Sequence, residues 1–455
     1  MVASIRAYLL LVALTAILFF AAFNYGGVSH TDQNFYLAVL GFFALVAALW
    51  PSMPANARQP RLQFAYRICL PLLPAWALLQ IIPLPASWVV ALSPARAEAL
   101  RGLSGLGIDS PKATLSVSPL VTRDYLLLIC AYIIVFLLIR QLAAVWTADR
   151  SWILVVPLLL LAASEAILGF AQHSLGSVSE PIRGTYANRN HFAGLMELTL
   201  PFAIAWPLAW LRRPWRHREE TMSITDAVRT AACWILAAVC LVAVIFSQSR
   251  MGFIGALFSL FVVGALAFAT RARVLPSRRT VWLSIAGVGF ATLLTFIFLP
   301  TNELLRRYAQ AVIEVSETEE PETRLQDWRE TIPLIRSYPL FGCGFGGFSL
   351  AFPKFKTVTP MLTANHAHND YLEITAEAGL PGAAIFLLLL GVTLQTSLHR
   401  AFTTKRRSAW ALSLASNGAL AAILLHSTVD FNLYIPANAM IVSWIAALAA
   451  SGTKT

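Results

Sequence analysis

The chain predicts an all-α integral membrane protein with one large loop on the outer side. Three observations predict this. Of its 455 residues, 58% are hydrophobic and only 13% charged, with a mean hydropathy of +0.67; a soluble domain is about 45–50% apolar and about 25% charged. Apolar runs long enough to cross a hydrocarbon core of about 30 Å recur along the whole length. Basic residues crowd alternate connections between those runs. Composition excludes disordered, collagen-like and coiled-coil classes. A secreted disulfide scaffold is excluded too, since Cys69, Cys130, Cys233 and Cys240 lie in apolar runs and only Cys343 lies in a polar-side segment.

Taken in order, the candidate spans are centred near residues 14, 42, 75, 131, 161, 200, 239, 260, 290, 389, 418 and 443, about twelve at roughly 20 residues each. The run from Ile5 to Phe23 is too long for a signal h-region and lacks a small-residue cleavage site. It is a span. With the N-terminus in the cytoplasm, the inside connections carry Arg58, Arg61 and Arg67; Arg140 and Arg150; Arg212, Arg213, Arg216, Arg218 and Arg229; Arg271, Arg273, Arg278 and Arg279; then Arg400, Lys405, Arg406 and Arg407. The outer connections are poorer, with Arg96, Arg101, Lys112, Arg123, Arg183, Arg189 and Arg250. This is the positive-inside bias. It accounts for most of the net charge of +11 without a nucleic-acid partner. Both termini are then cytoplasmic. The organisation is residues 1–120 for spans 1–3 and an outer loop, 121–300 for spans 4–9, 301–370 for a large periplasmic loop, and 371–455 for spans 10–12.

Two outer segments exceed a connector, residues 85–122 and about 301–370, and long loops are where function concentrates. The larger begins acidic, with Glu314, Glu317, Glu319, Glu320 and Glu322. From Pro321 to Ile332 the spacing predicts a short amphipathic helix, which Pro333 ends or kinks. Leu325, Trp328 and Ile332 share a face, with Arg324 and Arg329 at its margins. Such a helix either lies on the membrane surface with snorkelling arginines or sets Arg324 against an anionic head group. The run Phe341 to Phe348 contains G-x-G-x-x-G, but no βαβ unit surrounds it. A tight turn beside a substrate or a helix is the expectation.

Next, His366-Ala367-His368-Asn369-Asp370-Tyr371 leads into Glu373, Glu377, Gly379 and Gly382. Histidines at i and i+2 do not share a helix face, and H-E-x-x-H is absent, so a zinc pair is disfavoured. One reading makes them hydrogen-bonded structural residues. In the other, a neutral imidazole takes a proton from an attacking sugar hydroxyl. Ser247-Gln248-Ser249-Arg250 is the tip of a helical hairpin, where Arg250 either anchors the helix or grips a pyrophosphate bidentately. Glu165 and Glu197, inside apolar runs, are functional candidates or interhelical hydrogen bonders. The turn from Gly184 to His191 reads as a capped helix start.

On these residues the chain resembles the O-antigen ligase family, which shares a superfamily with O-antigen polymerases and bacterial protein O-oligosaccharyltransferases. The strongest match is to the family pattern H-[NSQ]-x9-G-x-x-G, met by His368, Asn369, Gly379 and Gly382. Ser249-Arg250, Arg324 with Trp328 leading to Pro339-Leu340-Phe341-Gly342, and the Asn188/Asn190 turn are also similar. The resemblance covers roughly residues 120–450. It implies a C-type membrane glycosyltransferase, working without a metal ion or other cofactor at the outer face of the bacterial inner membrane. Its donor would be a glycan on undecaprenyl pyrophosphate, and its acceptor lipid A–core or another glycan. By the same resemblance His368 is the catalytic base, and Arg250 and Arg324 hold the pyrophosphate. Asn369, Arg189, Arg329, Trp328 and Tyr371 are the expected substrate-binding residues. His366, beside the motif, is a second candidate imidazole. A repeat-unit polymerase uses the same donor, and a protein O-glycosyltransferase is a further variant. A transporter or flippase would instead relay protons through Glu165 and Glu197, but no duplicated halves are visible.

Overall fold

In a computed structural model, which describes residues 2–49, 62–146, 150–175, 181–210, 223–271, 319–357 and 364–451, the protein is helical almost throughout. A hairpin of α1 (Val2–Phe23) and α2 (His30–Leu49) precedes α3 (Phe64–Ile81). A small outer unit follows: β1 (Leu84–Pro85), α4 (Ala86–Leu92), α5 (Pro94–Gly105) and β2 (Lys112–Ala113). Then come α6 (Pro119–Val145), α7 (Val156–Leu175), α8 (Arg189–Ala205), its short continuation α9 (Pro207–Trp210), α10 (Ile224–Phe246) and α11 (Arg250–Arg271). The chain resumes with α12 (Glu319–Ser337) and the single turn α13 (Phe348–Ala351), and closes with α14 (Asp370–Thr403), α15 (Arg407–His426) and α16 (Pro436–Ala450).

Ten of the described runs are long and apolar enough to cross a membrane, and Pro436–Ala450 is a shorter apolar helix. They coincide with the expected spans except the one near residue 290, which lies outside the described residues, as do Glu314, Glu317 and the basic connections at 58–61, 212–218 and 273–279. In hydrocarbon every backbone group must be satisfied within its own segment, so apolar runs become helices. The most buried spans are α8 and α15. They pack on each other and on α11, with Ala411, Ala415, Ala419 and Ala422 fully buried on α15. Small side chains let membrane helices approach closely, where dispersion and interhelical hydrogen bonds hold them. A second group, α3, α6, α14 and α16, joins this centre through α15.

Contacts between termini bring several span ends together at one end of the bundle. Ala437 at the start of α16 donates to the carbonyl of Gly26 just after α1. Gln80 at the end of α3 donates to the carbonyls of Phe341 and Glu377. Thr122 at the start of α6 donates to the carbonyl of Phe345. The starts of α8 and α14 and the end of α15 meet at the same end of the bundle. All of the chemistry described below gathers there.

The 85–122 segment is more than a connector. Its β1–β2 ribbon is antiparallel, pairing Leu84 with Ala113 and Pro85 with Lys112. It is fastened to the large loop by Val117 N–H on the carbonyl of Cys343 (2.9 Å) and by a 2.6 Å ion pair of Lys354 with Glu98.

Pro333 does not end α12, which runs on to Ser337. Leu325 and Ile332 are 48% and 43% exposed, and the side of the helix that packs on the protein holds Glu330, Thr331 and Leu334, all buried. The physical reason is polar. Glu330 accepts the Thr357 N–H (2.8 Å) and Trp328 Nε1 donates to the carbonyl of Ala367 (2.9 Å), so hydrogen bonds turn that side inward.

Candidate active site

The loop before α14 ends at Asn369, whose Oδ1 accepts the N–H of Tyr371 (3.0 Å) and Leu372 (3.1 Å) as a helix N-cap. Its Nδ2 donates to the carbonyl of Thr428 (2.9 Å), tying the cap to the turn after α15. Tyr371 Oη donates to the carbonyl of Leu424 (2.7 Å) in α15. The N-cap therefore fixes where His368 stands.

Ten residues after Asn369 comes Gly379, where α14 breaks with φ 70° and ψ 175°. Carbonyls freed by the break need donors. Cys343 N–H takes Ala376 (2.9 Å), Gly344 N–H takes Glu377 (3.0 Å), and Trp76 Nε1 takes Ala378 (2.8 Å). The 341–348 turn is thus a glycine turn laid against a helix, as expected. At Gly342, φ is 70°, and a Cβ would come 2.1 Å from the Glu377 carbonyl oxygen, so only glycine fits. Cys343 is buried here, and all five cysteines are free.

Glu373 and Glu377 organise this loop. Glu373 accepts the Ala367 N–H (2.8 Å) and is joined to His366 Nδ1 at 2.6 Å. Glu377 accepts the Phe348 N–H (3.1 Å) and the Tyr434 hydroxyl (2.8 Å). His366 stacks on Phe431, with ring centroids 3.9 Å apart. Burial pushes the His366 imidazole down to about 4, partly offset by the Glu377 and Asp430 carboxylates. Its Nδ1 is taken and one face of its ring lies on Phe431.

His368 is placed differently. It adopts a left-handed backbone, φ 48°. Its side chain is 32% exposed, and its buried Nδ1 faces Asp430 Oδ1 at 3.9 Å. Asp430 is the centre of the site. Its carboxylate is 1% exposed and accepts Asn190 Nδ2 (2.7 Å) and its neighbour's Phe431 N–H (2.8 Å). His191 Nε2 stands 3.5 Å away and His426 Nε2 3.8 Å away. Burial alone would raise the Asp430 carboxyl, but the His191, His368 and His426 imidazoles that face it hold it well below the usual carboxylate range. Behind it, His426 Nδ1 meets Glu197 at 2.9 Å, both wholly buried.

The arginines lie around this centre. Arg324, half-buried on α12, donates to the carbonyl of Val429 (3.3 Å), one residue from Asp430. Arg189 opens α8, two residues before His191 and just after the Asn188 cap, which accepts the Asn190 N–H. Arg250 opens α11, is exposed, and makes no hydrogen bond or ion pair among the described residues. Its helix meets the first turns of α8, where a Cβ on Gly252 would touch Ala193. Arg329 is exposed on the outer face of α12. Trp328 backs the histidine loop through its bond to Ala367. So the structure brings Arg324, Trp328, His368, Asn369 and Tyr371 together, sets Arg189 and Arg250 at two adjoining helix starts, and leaves Arg329 on the rim.

Sequence reasoning missed Asp430, His426 and any role for His191. A signal was present: a histidine and an aspartate in the short stretch between two apolar runs, where ionisable groups carry a functional presumption. Glu165, by contrast, clasps the 184–185 turn, accepting both the N–H (2.9 Å) and the hydroxyl (2.6 Å) of Thr185. Among the described residues no group of three or more His, Cys, Asp or Glu is arranged to hold a metal ion. Below the site, an apolar cavity of about 190 Å³ lies between α3, α6, α14 and α16, with Phe345 and Tyr434 among its lining.

Compared with known proteins, residues 235–387 match a family model described as O-antigen ligase. The matched stretch holds α10 to α12, the glycine turn, His366 and His368, and α14 as far as Leu387. No curated protein matches the chain.

Proposed function

We propose, with the O-antigen ligase family match over residues 235–387 as premise, that this membrane protein transfers a preassembled glycan from undecaprenyl pyrophosphate to an acceptor hydroxyl at the periplasmic face of the inner membrane. The observation that carries the reading is the contrast between the two loop histidines. His366 Nδ1 is bonded to Glu373 at 2.6 Å with its ring stacked on Phe431, while His368 is 32% exposed and its Nδ1 only faces Asp430, at 3.9 Å. A base needs an accessible nitrogen and a partner that orients the ring and answers the positive charge it acquires. Nδ1 faces Asp430, so the edge carrying Nε2 is left to meet the acceptor.

In the reaction, His368 takes the proton of the attacking hydroxyl as its oxygen bonds to the anomeric carbon. The bond from that carbon to the pyrophosphate oxygen breaks, and the pyrophosphate leaves with the electron pair. Arg324 and Arg250 would hold the leaving anion, with Arg189 as a helper. The latter two stand at helix N-termini, whose free N–H groups and dipoles also favour anions. Asn369 and Tyr371 position the loop, Trp328 backs it, and Arg329 would meet the glycan at the rim. The apolar cavity suits part of the donor's isoprenoid chain.

Reconstituted protein given the lipid-linked glycan and an acceptor is expected to release undecaprenyl pyrophosphate, in EDTA as well as without it. His368→Ala should lower the rate by about 10²–10⁴-fold, the usual worth of a general base, while membrane insertion is kept. Full activity in that variant removes His368 as the base. Product size separates a ligase from a polymerase. Movement of the donor across the membrane without transfer replaces the enzyme with a flippase.

A further inference from the structure

The reading above leaves the deepest part of the site without work. Glu197 on α8 and His426 at the end of α15 are both fully buried and joined at 2.9 Å through Oε1 and Nδ1. The other ring nitrogen of His426, Nε2, points to Asp430 Oδ2 at 3.8 Å and has no hydrogen-bond partner among the described residues. One imidazole therefore stands between two carboxylates, each facing a different nitrogen. A neutral imidazole carries one N–H and one lone pair. If it gives its N–H to Glu197, the lone pair confronts Asp430 in a water-free setting, which is repulsive on both counts. Only the doubly protonated ring turns an N–H toward each carboxylate. It also supplies the cation that a buried carboxylate such as Glu197 needs.

Other groups around the cluster do not fill that role. From α11, Gly255 faces Glu197, so close that a Cβ would be 2.2 Å from Oε2. Asp370 of α14 is the other acid acting on His426. It accepts the Leu433 N–H (3.3 Å), and its own N–H donates to the Ser427 carbonyl (3.0 Å). From α8, His191 faces Asp430 and not Glu197. From the loop before α14, His366 is bonded to Glu373, and His368 faces Asp430. Three imidazoles thus compete for one carboxylate, Asp430, whose two oxygens already take Asn190 and Phe431.

We infer that Glu197 is a positioning residue for the transfer: it keeps His426 doubly protonated, so that the charge of Asp430 is met from behind and His368 enters the reaction as a neutral base. This rests on His368 being the base. An unanswered Asp430 would hold a proton on His368 before the acceptor arrives, and a protonated imidazole cannot accept another. Once the hydroxyl proton has moved to His368, Asp430 lies close enough to stabilise the new cation.

The test joins a count of charged histidines to a pH profile. Uniformly ¹⁵N-histidine-labelled protein in lipid bilayers, read by solid-state NMR at pH 8, is expected to show one persistent imidazolium, lost in Glu197→Gln. In the transfer assay, Glu197→Gln should move the acid limb of kcat upward by about one pH unit, the size expected for a changed charge partner nearby. The loss should be greatest at low pH and shrink toward pH 9, and Glu197→Asp should bring the limb back. A structural role alone would lower kcat equally at every pH. An acid limb that stays in place in Glu197→Gln overturns the inference, and so does the lack of any imidazolium at pH 8 in the unaltered protein. Should Glu197→Gln fail to assemble, the count in the unaltered protein decides alone. A chain that transfers no glycan fails the proposed function instead, while the count still decides the charge pairing.

Discussion

At the scale of single residues, the proposed transfer rests on His368 and the Asp430 carboxylate that faces it. A non-glycine residue at positive φ is held there by its surroundings at about 1–3 kcal/mol, and His368 sits between the Glu373-bound Ala367 and the Asn369 cap. Asp430→Asn keeps the volume but removes the charge that answers a protonated His368. Transfer is expected to fall by about 10²-fold or more, as when a buried aspartate behind a catalytic histidine is made neutral; measured kcat near that of the unaltered protein would detach Asp430 from the reaction. His366 titrates for a different purpose. Its folded-state value of about 4 lies below the ordinary 6.5. The unfolded chain therefore binds the extra proton first as pH falls, so stability is full above about 6.5 and is lost on acidification toward 4, on the order of 3 kcal/mol. Thermal unfolding in detergent between pH 7 and 4.5 should show a steeper decline for the unaltered protein than for His366→Asn; parallel curves would uncouple the ring's burial from its protonation. His368 and Asn369 were legible in the sequence because one short motif holds them. Asp430, His191 and His426 were not, because three segments remote in sequence must fold together before their side chains share one carboxylate.

Among the elements, α14 and the glycine turn are the closest fit in the molecule. Gly342→Ala would drive a Cβ into the Glu377 carbonyl from a left-handed backbone. A loss on the order of 2–4 kcal/mol is expected, read as a lower melting temperature in detergent. Gly391→Ala, farther along the same helix with open space around it, should be neutral or slightly stabilising. Equal effects would mean that the turn does not hold the break. The existence of α14 was readable from its apolar run. Its break was not, since Gly379 and Pro381 in a span are compatible with an unbroken helix, and the donors that satisfy the break come from α3 and from the 343–344 backbone. For α12 the apolar spacing of Leu325, Trp328 and Ile332 made the helix legible but not the side that packs on the protein. Hydropathy alone does not foresee a buried Glu330 whose value lies in the N–H groups it accepts.

For the whole molecule, the described spans were legible because membrane thickness dictates span length. The packing order was not, since lipid-facing and protein-facing apolar residues look alike in sequence. Orientation gives a direct test. Lys112→Cys lies in the outer ribbon and Lys405→Cys between α14 and α15, both exposed. In intact inner-membrane vesicles of right-side-out orientation, an impermeant maleimide is expected to label the first and reach the second only after permeabilisation; the reverse pattern inverts the topology. The break at Gly379 has one more consequence at this scale. Residues 370–378 are clamped to α3 and the glycine turn, and the remainder of α14 is tied to α3, α15 and α16 through Tyr66 to Thr393, Asn417 to Ser397 and Arg400 to the Leu448 carbonyl. Tilt of a span is set by packing against its neighbours, so both halves of the bent helix answer to the same scaffold, and a membrane of another thickness must move the bundle as a set rather than the helix alone.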